Sequence, residues 1–407
     1  MVVKPGDEIP FFNITRQVKV LREELETTCA EVFAGGSFIL GEWVEKFEGQ
    51  VADFVDAKYA VGVACGTDAL ALAYQALGAG MGDGLITTPF TFFATSGVMF
   101  RLGIRPFFVD IDPATFNIDP NLIREFLERE CRREDTGCIH VSTKTPVKGI
   151  APVHLFGQMA PMDFIMDLAR DYGLFVVEDA AQALGASQEK NGEKHMAGSI
   201  GSAAAFSFYP TKNLGAFGDA GLVSTNDRDT AEKISLLRAH GFETDGMVRL
   251  PGLCSRLDAL QAALLSKKFG SLEKWNRRRA DIAGKYRDMI GSKSWASEVV
   301  RPTEIAGNSH IWHQFALQVK FRDEIERHLK THGVGSGVYY RVPIHLHPIA
   351  ASLGYSKGDF PEAERAAEKV LALPIWPELT DDEIERVVNT LGLFYDKYRV
   401  IGDTENG

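Results

Sequence analysis

YAVGVACGTDALALAYQAL, residues 59–77, joins two kinds of local structure in one short segment. The apolar residues at its start predict a buried strand, and Thr67–Leu77 has the spacing of a helix with an apolar face. Small residues form the turn between them, so free backbone N–H groups at Gly66, Thr67 and Asp68 lie at a helix N-terminus. Such a turn binds phosphate; the alternative is simple N-capping by Thr67 or Asp68.

The same alternation of strand and helix continues as far as about residue 240. It is typical of a mainly parallel sheet covered by helices that serve as crossover connections. We therefore predict an N-terminal arm and a large α/β domain within residues 1–255. The predicted strands are Tyr59–Ala64, Leu85–Thr88, Pro106–Val109, Ile150–Val153, Leu174–Glu178, Ala203–Phe206 and Gly221–Ser224, and the predicted helices are Thr67–Leu77, Asn121–Arg132, Met162–Asp171 and Thr230–His240.

Residues 256–407 follow a different pattern, which predicts a connecting helix and a small C-terminal α+β domain. The apolar spacing of residues 257–290 is that of one long helix. Residues 310–321 and 333–341 have the composition of strands, and a final helix is predicted over Asp381–Tyr398. Within the first domain, REDTGCIHVSTKTPVK, which begins at Arg133, predicts a polar surface insertion to which we assign no function.

Composition narrows the class of protein. The chain has 407 residues, 45% hydrophobic and 24% charged, which is typical of a folded protein of two to three domains. Its net charge of −11 argues against a nucleic-acid or anionic membrane surface. A signal-peptide pattern and an apolar run long enough to span a bilayer are both missing, so we expect a cytoplasmic location. The five cysteines form no C-x-x-C pair, and no companion ligands accompany His310 with His313 or His345 with His347, so we expect no metal.

Two chemically specific residues follow later strands. In VVEDAAQALGA, Asp179 lies at the carboxyl end of a predicted strand, the edge where open α/β sheets bind ligands. A buried carboxylate there pairs with a cation such as a protonated pyridine nitrogen, although Asp179 alone equally fits a helix N-cap. Glu178 beside it should face the opposite side and be structural. In AFSFYPTKNLGAFGDAGLVST, Lys212 supplies an amine for a Schiff base with a carbonyl cofactor, and Ser207 and Thr211 supply hydroxyls for a phosphate.

Together these segments resemble the DegT/DnrJ/StrS family of pyridoxal phosphate (PLP)-dependent sugar aminotransferases. The resemblance implies the type I, aspartate-aminotransferase-like fold, in which a large mainly parallel sheet domain carries the PLP. It also implies pyridoxamine phosphate as an intermediate and a homodimer with active sites at the interface. The resembling motifs run from Phe12 to Leu391 and include GSFILGEWVEKFE, GTDALALA, TPFTFFAT, FVDIDPATFNID, PVHLFGQMAPMD, VVEDAAQALGA, FSFYPTKNLGAFGDAGLVST, RAHGF, SRLDALQAALL and VPIHLHP.

The resemblance assigns a role to each matching residue. Lys212 matches the lysine that binds PLP covalently and later shuttles a proton, and Asp179 matches the partner of the pyridine nitrogen. Phe90 matches the residue that covers one ring face, and Gln182 matches a polar residue on the other side. The cofactor-phosphate contacts match Gly66, Thr67 and Ser207, with Asp68 adjoining them and His154 in a supporting position near the ring.

The sequence departs from the family at two motifs. Cys254 stands where the family has an Asn that is donated across the dimer to the cofactor phosphate, and a thiol is a much weaker donor. The family's Y-P-x-P-x-H reads YRVPIHLHP, with Arg341 at a usual Pro position and His347 where Gln is common. We predict substrate contacts at His154, Arg341 and His345. The guanidinium of Arg341 could form a bidentate pair with an anionic group of the substrate; the alternative is that Arg341 is a surface residue.

The resemblance implies transfer of an amino group from glutamate, or glutamine, to a keto-sugar. SRLDALQAALL favours a nucleotide-linked keto-deoxysugar, as used in amino-sugar and polysaccharide biosynthesis. A free acidic keto- or aldehydo-sugar is the alternative, with its carboxylate near Arg341. Dehydration of a keto-sugar occurs in relatives with His at the lysine position, so Lys212 argues against it. A non-catalytic PLP-binding regulator is disfavoured because the chain is acidic and lacks a helix-turn-helix appendage.

Overall fold

A computed structural model gives the fold over residues 8–135, 137–243 and 245–405, with side chains described as far as residue 397. Within these residues, nine strands form one large sheet, accompanied by two three-stranded sheets. Helices alternate with the strands of the large sheet, which confirms the predicted α/β class. None of the helices in this part of the chain is long and apolar enough to cross a membrane.

The large sheet is mainly parallel. One antiparallel strand lies between the first strand and the parallel set, and the remaining neighbours on the main path are parallel. The carboxyl ends of the parallel strands therefore meet at one edge, where ligands bind in such sheets. Numbered in chain order and given in spatial order, the strands are β1 (Tyr59–Val63), β11 (Gly221–Thr225), β10 (Ala203–Ser207), β7 (Phe175–Asp179), β6 (Pro146–Ile150), β2 (Gly84–Thr87) and β3 (Arg105–Phe108).

Helices cover both faces of this sheet, because successive residues of its buried strands point to opposite sides. Val176 of β7 packs in the core on one face, and Val177 packs in the core on the other. Helices α3 (Gly66–Ala76), α4 (Ala94–Leu102) and α7 (Arg228–Leu237) share the core of Val177, whereas α2 (Glu42–Val55), α5 (Pro120–Glu130), α6 (Met162–Tyr172) and α8 (Ala259–Phe269) share the core of Val176.

The predicted polar insertion after Arg133 is instead a β-hairpin joined to the sheet. Strands β4 (Cys131–Glu134) and β5 (Gly137–His140) are antiparallel, and β5 pairs with the start of β6. The prediction is wrong because Cys138 and His140 are buried on one face, which a count of polar residues does not reveal. Thr136 lies outside the described residues. The predicted strand Ile150–Val153 was also placed too late: the observed strand β6 ends at Ile150, and a single bridge from Val153 to Asp179 follows it.

The C-terminal region contains a second core. The predicted connecting helix is two helices, α8 and α9 (Leu272–Gly291), because Gly270 and Ser271 interrupt it. Residues 310–321 contain the predicted strand, but residues 333–341 form only bridges to Ile9 and Ala372, since glycines interrupt them. The remaining elements are α1 (Thr15–Gly35), β8 (Ser187–Lys190), β9 (Glu193–Met196), β12 (Val299–Val300), β13 (Asn308–Ser309), β14 (Phe315–Val319), α10 (Arg322–Thr331), α11 (Pro361–Lys369), β15 (Val370–Leu373) and α12 (Asp381–Glu405).

Two sets of apolar contacts connect residues of the first 255 positions with the C-terminal region. Ile9 and Phe12 from the start of the chain pack in the C-terminal core with Phe315 and Leu373. A further apolar cluster joins residues that follow the large-sheet strands to α11 and to Ala316 of β14. The division between residues 255 and 256 stays a prediction.

Candidate active site

Lys212 lies in the tight loop that follows β10. Its backbone N–H donates to the carbonyl of Tyr209 at 2.8 Å, and the loop requires a glycine because a Cβ on Gly215 would lie 2.3 Å from the Pro210 carbonyl oxygen. The side chain remains partly accessible, yet enough protein surrounds the amine that burial lowers the pKa of Lys212 to about 8. The charge of Asp179 opposes that shift in pKa only in part. A useful fraction of the amine is therefore unprotonated near neutral pH.

Asp179 is the last residue of β7 and is buried. Its Oδ2 accepts a hydrogen bond from Thr95 Oγ1 at 2.7 Å, and its Oδ1 accepts one from the Ala181 amide at 3.2 Å. Burial raises the pKa of Asp179, and these hydrogen bonds together with the charge of Lys212 offset only part of the effect. The ionised carboxylate is thus incompletely compensated, which suits it to a bound cation.

The start of α3 meets the ends of β10 and β11 in a small cradle. A Cβ on Gly66 would lie 2.6 Å from the Cβ of Ser207, so glycine is required for this close approach. The capping alternative is wrong: Cys65 is the N-cap, its Sγ accepts from the Asp68 amide at 3.4 Å, and the Asp68 carboxylate accepts from Ser255 Oγ at 2.7 Å. The cradle therefore combines the positive end of a helix with the Ser207 hydroxyl.

Phe90 and Gln182 both contact Tyr340. The Phe90 and Tyr340 rings meet edge to face, with centroids 5.3 Å apart and planes at 86°. Gln182 Nε2 donates to the Tyr340 hydroxyl at 3.0 Å, and Gln182 Oε1 accepts from the Phe156 amide at 2.7 Å. Tyr340 was missed by the sequence analysis, which passed over it for the neighbouring Arg341.

His154 and Glu178 form a buried pair on the face of β7 opposite to Asp179. His154 Nδ1 accepts from the Ala160 amide at 3.1 Å, so in the neutral ring Nε2 carries the hydrogen and donates to Glu178 Oε2 at 2.8 Å. Glu178 also accepts from the amides of Gly198, Ile200 and Gly201 at 2.7–2.9 Å. Both ring nitrogens of His154 are therefore occupied, and a direct substrate contact by His154 does not agree with this arrangement.

Three hydrogen-bonded polar side chains, Asn276, Asn213 and His313, lie next to Lys212, which Asn213 follows in the sequence. Asn276 Nδ2 donates to the Leu184 carbonyl at 3.2 Å, and Asn213 Nδ2 donates both to Asn276 Oδ1 at 2.7 Å and to the Ile311 carbonyl at 3.0 Å. Because carbonyls fix both amides, Asn213 Oδ1 must accept from His313 Nδ1, 3.2 Å away. Burial, and next the charge of Lys212, hold the pKa of His313 well below its usual range. His313 is therefore a neutral donor that fixes the residue next to the lysine.

Arg341, His345 and Cys254, which the sequence singled out, contact groups other than the residues described above. Arg341 donates to Asp323 Oδ1 at 2.9 Å and to Glu326 Oε2 at 2.5 Å, on the surface beside α10. Both carboxylates hold this guanidinium in the single chain, so the arrangement does not support the substrate contact, which stays a prediction. His345 Nε2 contacts Glu364 Oε1 at 3.1 Å, and its buried ring meets that of Phe360 edge to face, with centroids 4.7 Å apart. Cys254 is exposed, and its Sγ accepts from Arg256 at 3.2 Å.

The histidines considered as metal ligands contact other groups: His313 Nδ1 contacts Asn213, His345 Nε2 contacts Glu364, and His347 Nε2 contacts the Val342 carbonyl. His310 stacks on Trp312 at 3.9 Å, and burial lowers the pKa of His310 to about 3. In the part of the chain that the structure describes, no group of three His, Cys, Asp or Glu side chains converges.

The most useful residues that sequence reasoning missed are Thr95, Asn213, His313 and Tyr340. Thr95 ends the quoted motif TPFTFFAT, and Asn213 directly follows the lysine, so their positions gave a signal. His313 and Tyr340 come from a distant part of the chain, and nothing local in the sequence connects them to Lys212.

These residues fit PLP in three respects. The cradle of Gly66, Thr67 and Ser207 offers a helix N-terminus and hydroxyls to a phosphate, and no described side chain occupies the Thr67 hydroxyl. The under-compensated carboxylate of Asp179 suits a protonated ring nitrogen. The amine of Lys212, with its pKa of about 8, suits a carbonyl carbon. With this sheet topology, the set defines a PLP-dependent enzyme of fold type I.

Comparison with known proteins identifies the family. A sequence model of the DegT/DnrJ/EryC1/StrS aminotransferase family matches residues 19–392, and the chain belongs to this family. It is 43% identical to a "Pleiotropic regulatory protein" of Geobacillus stearothermophilus, over 95% of this chain and 98% of the relative. It is 35% identical to the dTDP-3-amino-3,4,6-trideoxy-alpha-D-glucose transaminase of Streptomyces venezuelae, over 94% of this chain and 95% of the relative. A crystal structure of NtdA from Bacillus subtilis with bound cofactor PMP superposes with a TM-score of 0.83 at 29% identity, covering 96% of this chain and 86% of that one.

The fold, the site and the family together make this chain a PLP-dependent sugar aminotransferase. The cofactor and the reaction class implied by the sequence are confirmed. The individual roles given to Lys212, Asp179, Phe90, Gln182, Gly66, Thr67, Asp68 and Ser207 stay predictions that the geometry described above supports.

Proposed function

We propose that this enzyme transfers the amino group of glutamate, or of glutamine, to a nucleotide-linked keto-deoxysugar in amino-sugar biosynthesis. The observation that carries the proposal is a lysine amine with a pKa of about 8 beside the incompletely compensated carboxylate of Asp179. The nucleotide-linked class is supported by the Streptomyces venezuelae relative, whose name specifies a dTDP-sugar. Because Arg341 binds Asp323 and Glu326, its guanidinium lends no support to the alternative of a free acidic sugar.

When bound, PLP supplies an electron sink for the carbon that loses or gains a proton. Asp179 would stabilise a protonated ring nitrogen, and Thr95 and the Ala181 amide hold that carboxylate in place. Lys212 would hold the cofactor through its amine and would carry a proton to and from the reacting carbon as a general acid and base. The pKa of Lys212, about 8, suits this task because both of its protonation states are accessible near neutral pH. Asn213, fixed by His313, limits the movement of the lysine backbone.

We further propose that two copies form a homodimer and complete each other's sites. Three aromatic side chains next to site residues are exposed in the single chain: Phe92 is 63% exposed, Tyr209 53% and Phe217 40%. Exposed aromatic side chains beside a ligand site are what an interface between two copies would cover. Light scattering should give twice the chain mass of 44.8 kDa at micromolar concentration. A stable monomer with full activity would contradict the proposal.

A non-catalytic regulator is the second candidate, favoured by the name of the Geobacillus stearothermophilus relative. It predicts cofactor binding without amino-group exchange. The geometry around Lys212 favours catalysis, because a regulator needs no amine tuned to a pKa of about 8.

The test is an absorbance spectrum of the holoenzyme before and after addition of glutamate, and then of glutamine. We expect loss of the visible band of the lysine-bound cofactor, growth of the pyridoxamine form and release of the keto acid. Lys212→Ala should reduce exchange on the order of 10⁴-fold while PLP still binds non-covalently. Lys148→Ala, at an exposed site on β6, is the control. Unchanged exchange in Lys212→Ala would refute the assignment, and a cofactor band that no donor alters would favour the regulator.

The loaded enzyme then allows the sugar class to be tested. Nucleotide-linked 3-keto- and 4-keto-deoxysugars should return the pyridoxamine form to the lysine-bound form, whereas free keto-sugars should do so at least about tenfold more slowly. Faster turnover of a free acidic sugar would overturn the proposed substrate class.

A further inference from the structure

Lys268 is a second buried lysine beside the loop that carries Lys212. It lies in the last turn of α8 and is 2% exposed, whereas most lysines keep their ammonium group in water. Its Nζ donates to the backbone carbonyl of Gly215, three residues after Lys212. The Phe217 and Trp275 rings flank the same ammonium, with centroids 4.9 Å and 5.9 Å from Nζ. Burying an ammonium costs free energy, so a fold that keeps one there favours a specific task for it.

Opposite charge compensates this ammonium only in part. Burial lowers the pKa of Lys268 to about 8, and the charge of Glu378 opposes that shift without cancelling it. Most of the amine is therefore still charged at neutral pH. Its partners are the Gly215 carbonyl and the two aromatic faces. Because a hydrogen bond from a charged donor is roughly twice as strong as one between neutral groups, the Gly215 carbonyl is held firmly.

Gly215 is the position at which the loop could most easily change its conformation. Without a Cβ, a glycine has more allowed backbone conformations than any other residue. The peptide plane between Gly215 and Ala216 is held at both ends, because its carbonyl accepts from Lys268 and its N–H donates to the Phe208 carbonyl at 2.7 Å. Removal of the Lys268 donor would leave one of these two contacts on that plane.

Helix α8 also fixes the peptide plane that follows. Gln261 lies two turns before Lys268 on the same face of the helix, and its Oε1 accepts from the Phe217 amide at 2.9 Å. At the other end of the loop, Asn213 is held through the hydrogen bonds of its side chain. The Lys268 contact lies between these two attachments and holds Gly215, which is otherwise free to rotate.

We propose that Lys268 is a positioning residue, whose ammonium holds the Gly215 peptide so that the Lys212 amine stays where it reacts with a carbonyl carbon. A displacement of about 1 Å at a reacting group can cost on the order of 100-fold in rate. The inference rests on Lys212 being the reactive amine of the proposed function, and it does not depend on the identity of the sugar.

The test compares Lys268→Met with Lys267→Met. Methionine keeps the unbranched apolar stem of lysine and removes the donor and the charge. Lys267 is the matched control because it precedes Lys268 on the same helix and is less buried. In the apoprotein, hydrogen–deuterium exchange over residues 208–217 should become about tenfold faster in Lys268→Met, as for loss of one hydrogen bond from a charged donor. This readout requires neither the cofactor nor a substrate.

Rates of reaction at Lys212 provide the second readout. Covalent attachment of PLP to the Lys268→Met apoprotein, followed by stopped-flow absorbance, should be about tenfold slower than in the wild type. The glutamate half-reaction should lose a similar factor in kcat, with KM for glutamate changed less than about twofold, because groups that bind the substrate are unaltered. Lys268→Arg restores a charged donor and should recover most of both rates. Lys268→Gln, which keeps a neutral donor, replaces Lys268→Met if that variant does not fold, with smaller changes in the same direction.

The outcomes separate this inference from the proposed function. Exchange and attachment rates in Lys268→Met that match those of Lys267→Met would overturn it. A lower unfolding temperature with unchanged rates would make Lys268 purely structural, and a Lys268→Arg protein that unfolds at the wild-type temperature yet reacts as slowly as Lys268→Met would show that the cation is not required. Both results contradict the proposal. Failure of every amino donor and keto-sugar in the wild type would count against the proposed function and leave the differences in exchange and attachment standing.

Discussion

Two buried carboxylates end strand β7 side by side, on opposite faces of the large sheet. Glu178 accepts from three backbone amides and from His154, all at 2.7–2.9 Å. Asp179 accepts from Thr95 and from one amide. Burial alone raises the pKa of both, but the partners of Glu178 outweigh it and leave the pKa of Glu178 below its usual range, whereas the pKa of Asp179 is raised.

The difference shows how the fold distinguishes a structural carboxylate from a functional one. Glu178 has its charge satisfied by the chain itself, so it ties the loop over residues 198–201 to β7. Asp179 is left with an incompletely compensated charge at the ligand edge of the sheet. Burying an incompletely paired carboxylate costs free energy unless a cation binds beside it, and the protonated ring nitrogen of PLP is such a cation.

Replacing Asp179 should give the largest effect on activity. Asp179→Asn keeps the shape of the side chain but cannot hold a proton on the ring nitrogen, so we expect kcat to fall by about 100- to 1000-fold. The apoprotein should be at least as stable as the wild type near pH 7, because the raised pKa of Asp179 means that ionisation opposes folding there. Chemical denaturation of the apoprotein and steady-state kinetics check both parts. A large loss of stability would assign Asp179 to the structural class instead.

Replacing Glu178 should show the opposite balance. In Glu178→Gln one side-chain N–H must face backbone N–H groups, so the free energy of unfolding should fall by about 3 kcal/mol. The lowered pKa of Glu178 stabilises the fold above its ordinary value of 4.5 and stops doing so as the pH falls through the folded-state pKa. The difference from the wild type should therefore shrink in acid. Denaturation curves from pH 7 down to pH 4 measure this, and a pH-independent difference would contradict it.

The pH dependence of PLP attachment measures how strongly the charge of Asp179 acts on the amine of Lys212. Because burial lowers the pKa of Lys212 to about 8 from an ordinary value of 10.5, the rate of PLP attachment to the apoprotein should fall below pH 8 and reach a plateau above it. The charge of Asp179 raises this pKa, so Asp179→Asn should move the midpoint to lower pH. Stopped-flow absorbance provides the rates. A midpoint near 10 in the wild type would show that the amine is not desolvated.

Replacing Arg341 tests whether a surface charge that is already paired with carboxylates takes part in substrate binding. Its guanidinium is shared between Asp323 and Glu326 and is about half exposed, so Arg341→Gln should change stability by less than about 1 kcal/mol and the KM for the sugar by less than about twofold. Glu326→Gln, which removes one partner and leaves Arg341 in place, is the matched control. A KM that rises tenfold in Arg341→Gln alone would restore the substrate contact predicted from the sequence.

Much of the large domain was predictable from local pattern. The strand from Tyr59, the turn at Gly66 and the helix after it follow from a change in hydrophobic periodicity over a few residues. The hairpin over Cys131–Glu134 and Gly137–His140 was missed, because its strands are short and only Cys138 and His140 are buried. The break between α8 and α9 was also missed, because the apolar spacing continues across Gly270.

By itself the sequence determined the α/β class, the order of the phosphate turn, carboxylate and lysine along the chain, and the resemblance to a sugar aminotransferase. These three features depend on residue types at fixed local spacing, and the periodicity of strands and helices can be recognised directly in the sequence. Tertiary structure alone decided which of Glu178 and Asp179 has the fuller set of hydrogen bonds, that Arg341 is held at the surface, and that Tyr340 and His313 from the C-terminal region contact Gln182 and Asn213. Hydrogen bonds between residues separated along the chain set those outcomes, from 15 positions for Arg341 and Glu326 to 158 for Gln182 and Tyr340, since the pKa and exposure of a group depend on its neighbours in space.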